Sequence, residues 1–164
     1  MEAGTNIITL VSSDGEKIEI SSKAAGKSNL VKGILEDYPD DVVVPLHKFK
    51  SNILKKIKEF LEHYENEEPV PIEKPLVSQN FHESVSEWDY NYINVDLDLT
   101  FELISAANYM HIPHLFDLAS AKVASIIKNR NQSQIKKTFN IPQEFTQEEE
   151  KKIFEDNKWC LENL

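Results

Sequence analysis

Residues 7–20 read IITLVSSDGEKIEI, and this stretch decides the first element of the fold. Apolar and polar residues alternate on both sides of the Ser-Ser-Asp-Gly sequence at 12–15, which is the period of a half-buried strand. Asp14-Gly15 can adopt the positive φ values that a tight turn requires. The stretch therefore predicts a β-hairpin, whose buried face consists of Ile8, Leu10, Ile18 and Ile20.

The sequence after the hairpin changes to the spacing of amphipathic helices. Ser28 is suited to cap a helix that ends at residues 39–41, and the apolar face of this helix consists of Leu30, Val31, Ile34 and Leu35. The three valines at 42–44 predict a short strand that Pro45 stops. The next helix has a longer apolar face, formed by Ile53, Leu54, Ile57, Phe60, Leu61 and Tyr64.

Residues 65–83, called the proline segment below, have no apolar periodicity and many acidic residues. The prolines of this segment are Pro69, Pro71 and Pro75. This composition predicts a flexible surface loop, and the loop is the best candidate in the chain for cleavage. After it, Trp88, Tyr92 and Ile93 indicate a packed helix.

Two longer helices are predicted between Asp98 and Ile127. Asp98 or Thr100 can cap the first of them, and its apolar face consists of Phe101, Ile104, Ala107 and Met110. Pro113 suits the first position of the second, because the missing N–H of proline is not needed there. The apolar residues of this second helix are Leu115, Phe116, Ala119, Val123, Ile126 and Ile127.

Two shorter helices are predicted at the end of the chain. Asn131 is suited to cap the first, which continues to Lys137. Thr146 and Glu149 have the spacing of a capping box and open the second, which reaches Trp159.

The order of the elements predicts the α+β class. Residues 1–128 are expected to form a small sheet with helices packed on it, and residues 129–164 a helical extension. A chain of 164 residues is long enough to bury a core without disulfide bonds. The single cysteine, Cys160, excludes an internal disulfide and suits a reducing compartment.

The net charge of −10 bears on the partners that this chain can have. An acidic surface repels nucleic acid and anionic membranes, so neither is an expected partner. No apolar run has the length of a membrane helix, and the first ten residues lack the pattern of a secretory signal.

The sequence motifs that indicate catalysis or metal binding are missing, although carboxylates are abundant. Only four glycines occur, and they form no phosphate-binding loop. His111, His114 and Asp117 are the nearest approach to a metal-ligand set, but Pro113 interrupts the helix between the two histidines. We therefore expect no enzymatic activity, no cofactor and no metal.

By elimination, the sequence indicates a binding protein. Phe139, Phe145 and Trp159 fall among short helices that cannot bury large side chains by themselves, and such residues are common anchors at interfaces. The alternative, that these rings fold back onto the sheet domain, stays open at this point.

Six stretches of the sequence together resemble one family, the S-phase-kinase-associated adaptors. They are LVSSDGE at 10–16, ILED at 34–37, TFELISAANY at 100–109, KTFNI at 137–141, FTQEEE at 145–150 and NKWC at 157–160. They occur in the order and spacing of the family and extend over nearly the whole chain.

The resemblance implies a BTB/POZ-type domain with an added helical tail, and a non-catalytic adaptor in the cytoplasm and nucleus. Adaptors of this family link F-box substrate receptors to a cullin scaffold in SCF-type ubiquitin ligases. Carried over by position, Asn108 and Tyr109 would contact the cullin. The residues that would form the F-box surface or the core beneath it are Ile104, Phe116, Val123, Ile127, Ile135, Phe139, Ile141, Phe145 and Trp159.

The sequence departs from the family pattern at four places, which makes it a divergent member; one is the proline segment, which has fewer acidic and more apolar residues than usual. Residues 45–48 read PLHK where the family usually has a Pro-Leu-Pro-Asn-like run. Residues 129–134 read NRNQSQ instead of Gly-Lys-Thr-Pro-Glu-Glu, so a weaker start of the following helix is expected. Gln147 replaces the hydroxylatable proline of some members.

Three further interpretations accompany the resemblance. Members of the family also join kinetochore and proton-pump assembly complexes, and the sequence does not separate such a role from ligase work. An elongin-C-like adaptor shares the BTB-type core but lacks a long tail, so residues 132–164 argue against it. A weak homodimer through apolar surface is also expected, because BTB-type domains often dimerise.

Overall fold

The structure is a computed structural model that describes residues 7–38, 42–78, 80–128, 130–142 and 145–160. The chain divides into two compact units, residues 1–128 and residues 129–164. Each unit is described by itself below.

The first unit contains a sheet of three strands, β1 (Ile7–Ser12), β2 (Lys17–Ser21) and β3 (Val43–Leu46). Their order is β2-β1-β3, with β2 antiparallel and β3 parallel to β1. Gly15 has a φ of 78° in the turn between β1 and β2, which is the conformation expected of a glycine there. The predicted hairpin is confirmed, and all four of its predicted inward-facing residues are buried.

The prediction that Pro45 stops the third strand is wrong, because Pro45 lies inside β3 and pairs with Val11. β3 is an edge strand, and the backbone N–H of Thr9 donates to Val42 O across the pair. By the alternation of a parallel ladder, position 45 faces the open edge of the sheet. A proline there removes no ladder hydrogen bond, which is the condition under which strands accept it.

Helices cover one face of this sheet. In chain order they are α1 (Ser22–Ala25), α2 (Asn29–Asp37), α3 (Ser51–His63), α4 (Glu87–Tyr92), α5 (Leu97–Tyr109) and α6 (Pro113–Ile127). α1 and α3 pack on the strands, α5 packs on α3, and α6 packs on α5. The predicted cap at Ser28 is confirmed, since its side chain accepts from the backbone N–H of Val31, and Pro113 occupies the first turn of α6 as predicted. The residues at which α2 was expected to end, 39–41, lie outside the described residues.

The apolar face predicted for α3 is confirmed in full. Of the face predicted for α5, Ala107 and Met110 are buried and Ile104 is partly buried, but Phe101 needs correction. Asp96, not Asp98 or Thr100, caps α5, so the helix begins earlier than expected. Thr100 is buried and donates its hydroxyl to Asp96 O at 2.7 Å. Leu103 is fully buried, whereas Phe101 is 44% exposed. Leu103 shares its face with Ala107 and Met110, and packing against α3 and α6 buries that face and leaves Phe101 outside it.

The apolar residues predicted for α6 divide between the core and the surface. Leu115 and Ala119 are buried as expected, together with Leu118 and Ala121, which the prediction omitted. Phe116 and Ile127 were expected to carry the helix but are exposed. α6 therefore buries a narrow stripe and leaves large apolar side chains outside it.

The described residues of the proline segment form no strand, and they form no helix before a 3-10 turn begins at Phe81. Ile72 is buried, and Lys74 forms an ion pair with Asp117 at 2.7 Å. Farther back, Glu65 Oε1 accepts from Ser21 Oγ at 2.6 Å. The segment thus contacts the domain at several points, and its flexibility stays a prediction.

The second unit contains α7 (Gln132–Thr138), α8 (Gln147–Asp156) and a 3-10 turn at Lys158–Cys160. α8 was expected to reach Trp159 but ends at Asp156. Its end is closed by Asn157, whose backbone and side chain both donate to Ile153 O. None of the residues described in this unit is buried.

Capping boxes open both helices of the second unit. Thr146 and Glu149 form the predicted one. At α7, Asn131 Oδ1 accepts from the N–H of Gln134 at 2.9 Å, and the Gln134 side chain accepts from the N–H of Asn131 at 3.1 Å. The predicted cap at Asn131 is therefore confirmed, and a weaker start of α7 than in the family stays a prediction.

Candidate protein-binding surfaces

The first candidate surface, called the α5-end surface below, consists of Lys48, Phe49, Asn108 and Tyr109. Tyr109 is 45% exposed, and its ring meets Phe49 edge to face with the ring centroids 5.5 Å apart. Lys48 Nζ lies 5.6 Å from the centroid of Tyr109 and 5.9 Å from that of Phe49. Asn108 is exposed beside them. The surface therefore combines aromatic area, an amide and a positive charge.

The turn that holds Lys48 and Phe49 is fixed by the sheet. Phe49 donates its backbone N–H to Leu46 O at 3.0 Å and accepts from the N–H of Ser13 at 2.8 Å. Because its side chain is buried, it holds the turn against the domain. A cavity of about 200 Å³ opens between this turn and α5, lined by Lys48, Phe49, Lys50, Ile53, Glu102 and Ser105.

The predicted F-box residues of the first unit lie on two helices that contact each other. Ile104 on α5 is partly buried against the core, and Val123 on α6 is partly buried. Phe116 is 37% exposed and Ile127 is 40% exposed. Phe116 and Ile127 are therefore surface residues, whereas Ile104 and Val123 lie partly beneath the surface.

The predicted F-box residues of the second unit, called the tail residues below, are Ile135, Phe139, Ile141, Phe145 and Trp159. Ile135 and Phe139 are partly buried, and the other three are exposed, with Trp159 at 64%. Asn140 precedes Ile141 with a φ of 49°, and Ile141 donates its N–H to Lys136 O at 2.9 Å. This left-handed helix end fixes the direction in which the chain leaves α7.

Two apolar residues of the second unit were missed by the sequence reasoning. Ile153 is 45% exposed and Phe154 is 59% exposed. Together with Phe145 they line a cavity of about 730 Å³ beside α8. The sequence signal for them is an adjacent apolar pair within an otherwise charged helix, which is too short a pattern to define an apolar face.

A buried polar network joins α3, α4 and α6. Asp89 is only 2% exposed and accepts hydrogen bonds from Tyr64 Oη and Ser86 Oγ, both at 2.9 Å. His114 Nε2 lies 3.7 Å from Asp89 Oδ2, which is too long for a hydrogen bond, and has no hydrogen-bond partner among the described residues.

This network shifts two pKa values. Burial by itself raises the pKa of Asp89, but the neighbouring His114 and the hydrogen bonds from Ser86 and Tyr64 outweigh burial and lower it. Burial, and then the hydrogen bond to Asp89, raise the pKa of Tyr64 to about 12. The interactions tie three helices together, which is a structural role.

The residues weighed as metal ligands are engaged differently. His114 faces Asp89, Asp117 pairs with Lys74, and His111 has a φ of 51° after the end of α5. Within the described ranges, no group of three or more His, Cys, Asp or Glu side chains could hold a metal ion. No helix of that part of the chain is long and apolar enough to cross a membrane.

Family comparisons cover both units. A family model described as "Skp1 family, tetramerisation domain" matches residues 6–66, and one described as "Skp1 family, dimerisation domain" matches residues 113–160. The fold is thus that of an α+β protein with a POZ-type domain, as predicted.

Relatives match over almost their whole length. The S-phase kinase-associated protein 1 homolog of Tetrahymena thermophila is 44% identical over 163 residues, which is 99% of this chain and 98% of the relative. The E3 ubiquitin ligase complex SCF subunit sconC of Arthroderma benhamiae is 38% identical over 96% of this chain and 97% of the relative. Suppressor of kinetochore protein 1 of Schizosaccharomyces pombe is 36% identical over 93% and 96%.

The chain belongs to the Skp1 family. The predicted family is therefore confirmed. The assignment of Asn108 and Tyr109 to a cullin, and of the nine other residues to an F-box, stays a prediction.

Proposed function

We propose that this chain is the non-catalytic adaptor subunit of an SCF-type E3 ubiquitin ligase, acting in ubiquitin-dependent protein degradation. The observation that carries the proposal is the near-full-length similarity to a relative named as an SCF subunit. Both units are included in this similarity, so both ends of the adaptor have a counterpart in the relative.

The two candidate surfaces suit such a role. The α5-end surface would receive the cullin, and the tail residues, with Phe116 and Ile127, would receive the F-box. Exposed Trp159, Phe145 and Ile141 supply the large apolar area that anchors at interfaces provide. The adaptor would act by proximity alone, holding a substrate receptor near the ubiquitin carrier without making or breaking a bond.

The remaining expectations belong to the same proposal. The chain has no enzymatic activity, acts in the cytoplasm and nucleus, and binds neither nucleic acid nor membrane, in keeping with its net charge of −10. It also forms a weak homodimer, for which the family descriptions "dimerisation domain" and "tetramerisation domain" give support.

The test is affinity purification of the tagged chain from its own cells, followed by mass spectrometry. Recovery of a cullin together with several F-box proteins is the expected result. A pull-down that contains F-box-like proteins and no cullin would contradict the ligase role.

Acidic substitutions at Asn108 and Tyr109 make the test specific for the α5-end surface. The double variant N108D/Y109D is expected to lose the cullin and keep the F-box proteins. Loss of both partners would indicate a folding defect, which thermal unfolding of the same variant would detect.

A second candidate function is that of an F-box-partner adaptor in a non-ligase complex, in kinetochore or proton-pump assembly. The relative named Suppressor of kinetochore protein 1 supports it. The same pull-down discriminates the two, since only the ligase role requires a cullin. The third alternative, an elongin-C-like adaptor, is disfavoured because the family model at residues 113–160 includes most of the helical extension.

A further inference from the structure

The α5-end surface contains a charge that the family pattern does not predict. Residues 45–48 read PLHK, so Lys48 stands where the related run usually has an asparagine. Its ammonium group lies 5.6 Å from the centroid of the Tyr109 ring and 5.9 Å from that of Phe49. Two rings that contact each other therefore hold one cation at the edge of the surface.

The surroundings of Lys48 contrast with the charge of the whole chain. The chain carries a net charge of −10, yet His47, Lys48 and Lys50 are exposed together in one turn. Glu102 is the acidic residue that lines the adjacent cavity of about 200 Å³. In the described part of the chain, Lys48 forms no ion pair with any carboxylate. Its charge is therefore available to a partner.

We propose that Lys48 determines specificity at the α5-end surface by receiving an Asp or Glu side chain of the docked cullin. This inference rests on the proposed function, because it concerns the partner that would bind at Tyr109. The geometry supports it in two ways. The rings of Phe49 and Tyr109 restrict where the ammonium group lies. A partner that covers Tyr109 must therefore either cover this group as well or place it at the rim of the interface.

Covering Lys48 without an opposite charge would be unfavourable. An ammonium group that loses water at an interface and finds no acceptor costs more free energy than its contacts return. A carboxylate of the cullin relieves that cost. Its attraction to Lys48 also speeds the encounter of the two proteins, although the rest of this chain is acidic. A cullin that covers Lys48 without supplying an acid would thus bind less tightly, which is discrimination by an unpaired charge.

A second copy of this chain is a less suitable occupant of the same surface. A two-fold contact centred on Tyr109 would bring the Lys48 side chains of both copies to one interface, and each copy also has a net charge of −10. Both contributions are repulsive. Self-association through this surface is one of the outcomes that the experiment below distinguishes.

The experiment measures the affinity of the full-length chain for the purified amino-terminal domain of the cullin from the same organism. Titration calorimetry is run at low and at high salt on the wild type, Lys48→Glu and Lys48→Asn. At low salt we expect Lys48→Glu to weaken binding by about tenfold or more and Lys48→Asn by severalfold. Both variants should also lose most of the salt dependence that the wild type shows.

Lys122→Glu is the matched control. Lys122 Nζ lies 5.7 Å from the centroid of Phe81, so this variant reverses the same charge at another lysine–aromatic pair of the same unit. It should bind the cullin domain like the wild type. Thermal unfolding and F-box binding of all variants should be unchanged, which separates a lost contact from a lost fold.

The outcomes distinguish the two proposals. If N108D/Y109D abolishes cullin binding while Lys48→Glu binds like the wild type, the role of Lys48 is overturned and the adaptor role is supported. If Lys48→Glu and Lys122→Glu lose the same cullin affinity, the role of Lys48 is also overturned. Equal losses would mean that cullin binding responds to the net charge of the chain and not to a contact at Lys48. If the wild type binds no cullin domain, the proposed function is overturned and this inference with it. Sedimentation of the free chain measures its self-association. Altered self-association of Lys48→Glu together with unchanged cullin affinity identifies a second copy as the occupant and overturns the inference.

Discussion

The two units of the chain are stabilised in different ways. In the first unit, residues 1–128, strands and helices bury a continuous core that includes Ile8, Leu54 and Leu103. In the second unit, residues 129–164, none of the described residues is buried, and the exposed ones include Phe145, Phe154 and Trp159. The first unit therefore has its own source of hydrophobic stabilisation, and the described helices of the second do not.

The difference indicates how the second unit functions. Helices of seven and ten residues are too short to be stable through propensity alone, and a capping box opens each of them. Large apolar side chains that face solvent gain free energy when a partner covers them. We expect the second unit to become more ordered when an F-box binds it.

The largest effect is expected from truncation in the core of the first unit. Leu103→Ala removes a fully buried side chain, and it should lower the free energy of unfolding by about 3 kcal/mol. Ile153→Ala, at a position of the second unit that is 45% exposed, should change it by less than about 0.5 kcal/mol. Urea denaturation of both variants measures their free energies of unfolding. Similar decreases for the two variants would contradict the conclusion that only the first unit is stabilised by a buried core.

Trp159 should show the reverse behaviour, a large effect on binding and a small one on stability. Trp159→Ala is expected to weaken F-box affinity by about 2 kcal/mol or more while the unfolding midpoint of the first unit stays unchanged. Tyr38→Ala is the control, because Tyr38 is an aromatic residue of the first unit that is 70% exposed. F-box affinity equal to that of the wild type would remove Trp159 from the anchors.

Asp89 makes the stability of the first unit depend on pH. Its pKa is lowered in the folded protein, so its contribution is fully present above the unfolded pKa of about 3.9 and is lost as the pH falls through the folded value. Asp89→Asn should cost about 2 kcal/mol at neutral pH, since it weakens the hydrogen bonds from Tyr64 and Ser86.

The difference between Asp89→Asn and the wild type should then shrink as the pH is lowered below about 4. Urea denaturation at a series of pH values tests this expectation. Asp156→Asn, at an exposed position of the second unit, is the control for the removal of one carboxylate. If the wild type and Asp89→Asn differ in the free energy of unfolding by the same amount at every pH, Asp89 is not the titrating group.

The smallest effect is expected at the cap of α7. Asn131→Ala removes half of the capping box and should destabilise α7 by about 1 kcal/mol. Hydrogen exchange of the full-length protein should then show faster exchange in residues 132–138, with the core of the first unit unchanged. Ser133→Ala, in the same first turn, is the control, and equal acceleration by both variants would argue against a specific cap.

Local features of the fold could be predicted well from the sequence. The hairpin at 7–21, the caps at Ser28 and Thr146, and the apolar face of α3 depend on residues that are close in the chain. Turn chemistry, capping and helix periodicity act over that range, and they are sufficient without any knowledge of packing. Resemblance of short motifs then identified the family, which the comparisons confirm.

The features that were mistaken depend on contacts between distant segments. Pro45 is compatible with β3 only because that strand lies at the edge of the sheet, and the sequence does not reveal strand order. Leu103 rather than Phe101 faces the core because α5 packs between α3 and α6. Ile153 and Phe154 were overlooked because a charged helix with one apolar pair gives little periodic signal.

By itself the sequence determined the order of the strands and longer helices, the caps at Ser28, Asn131 and Thr146, and the membership in the Skp1 family, because these depend on local chemistry and on motif order. Tertiary structure alone decided that Lys48 lies over Tyr109 and that Asp89 is buried between Tyr64 and His114. Such pairs arise when packed helices and turns bring distant residues together, and no spacing along the chain encodes them. The charge of the α5-end surface is therefore a property of the folded chain.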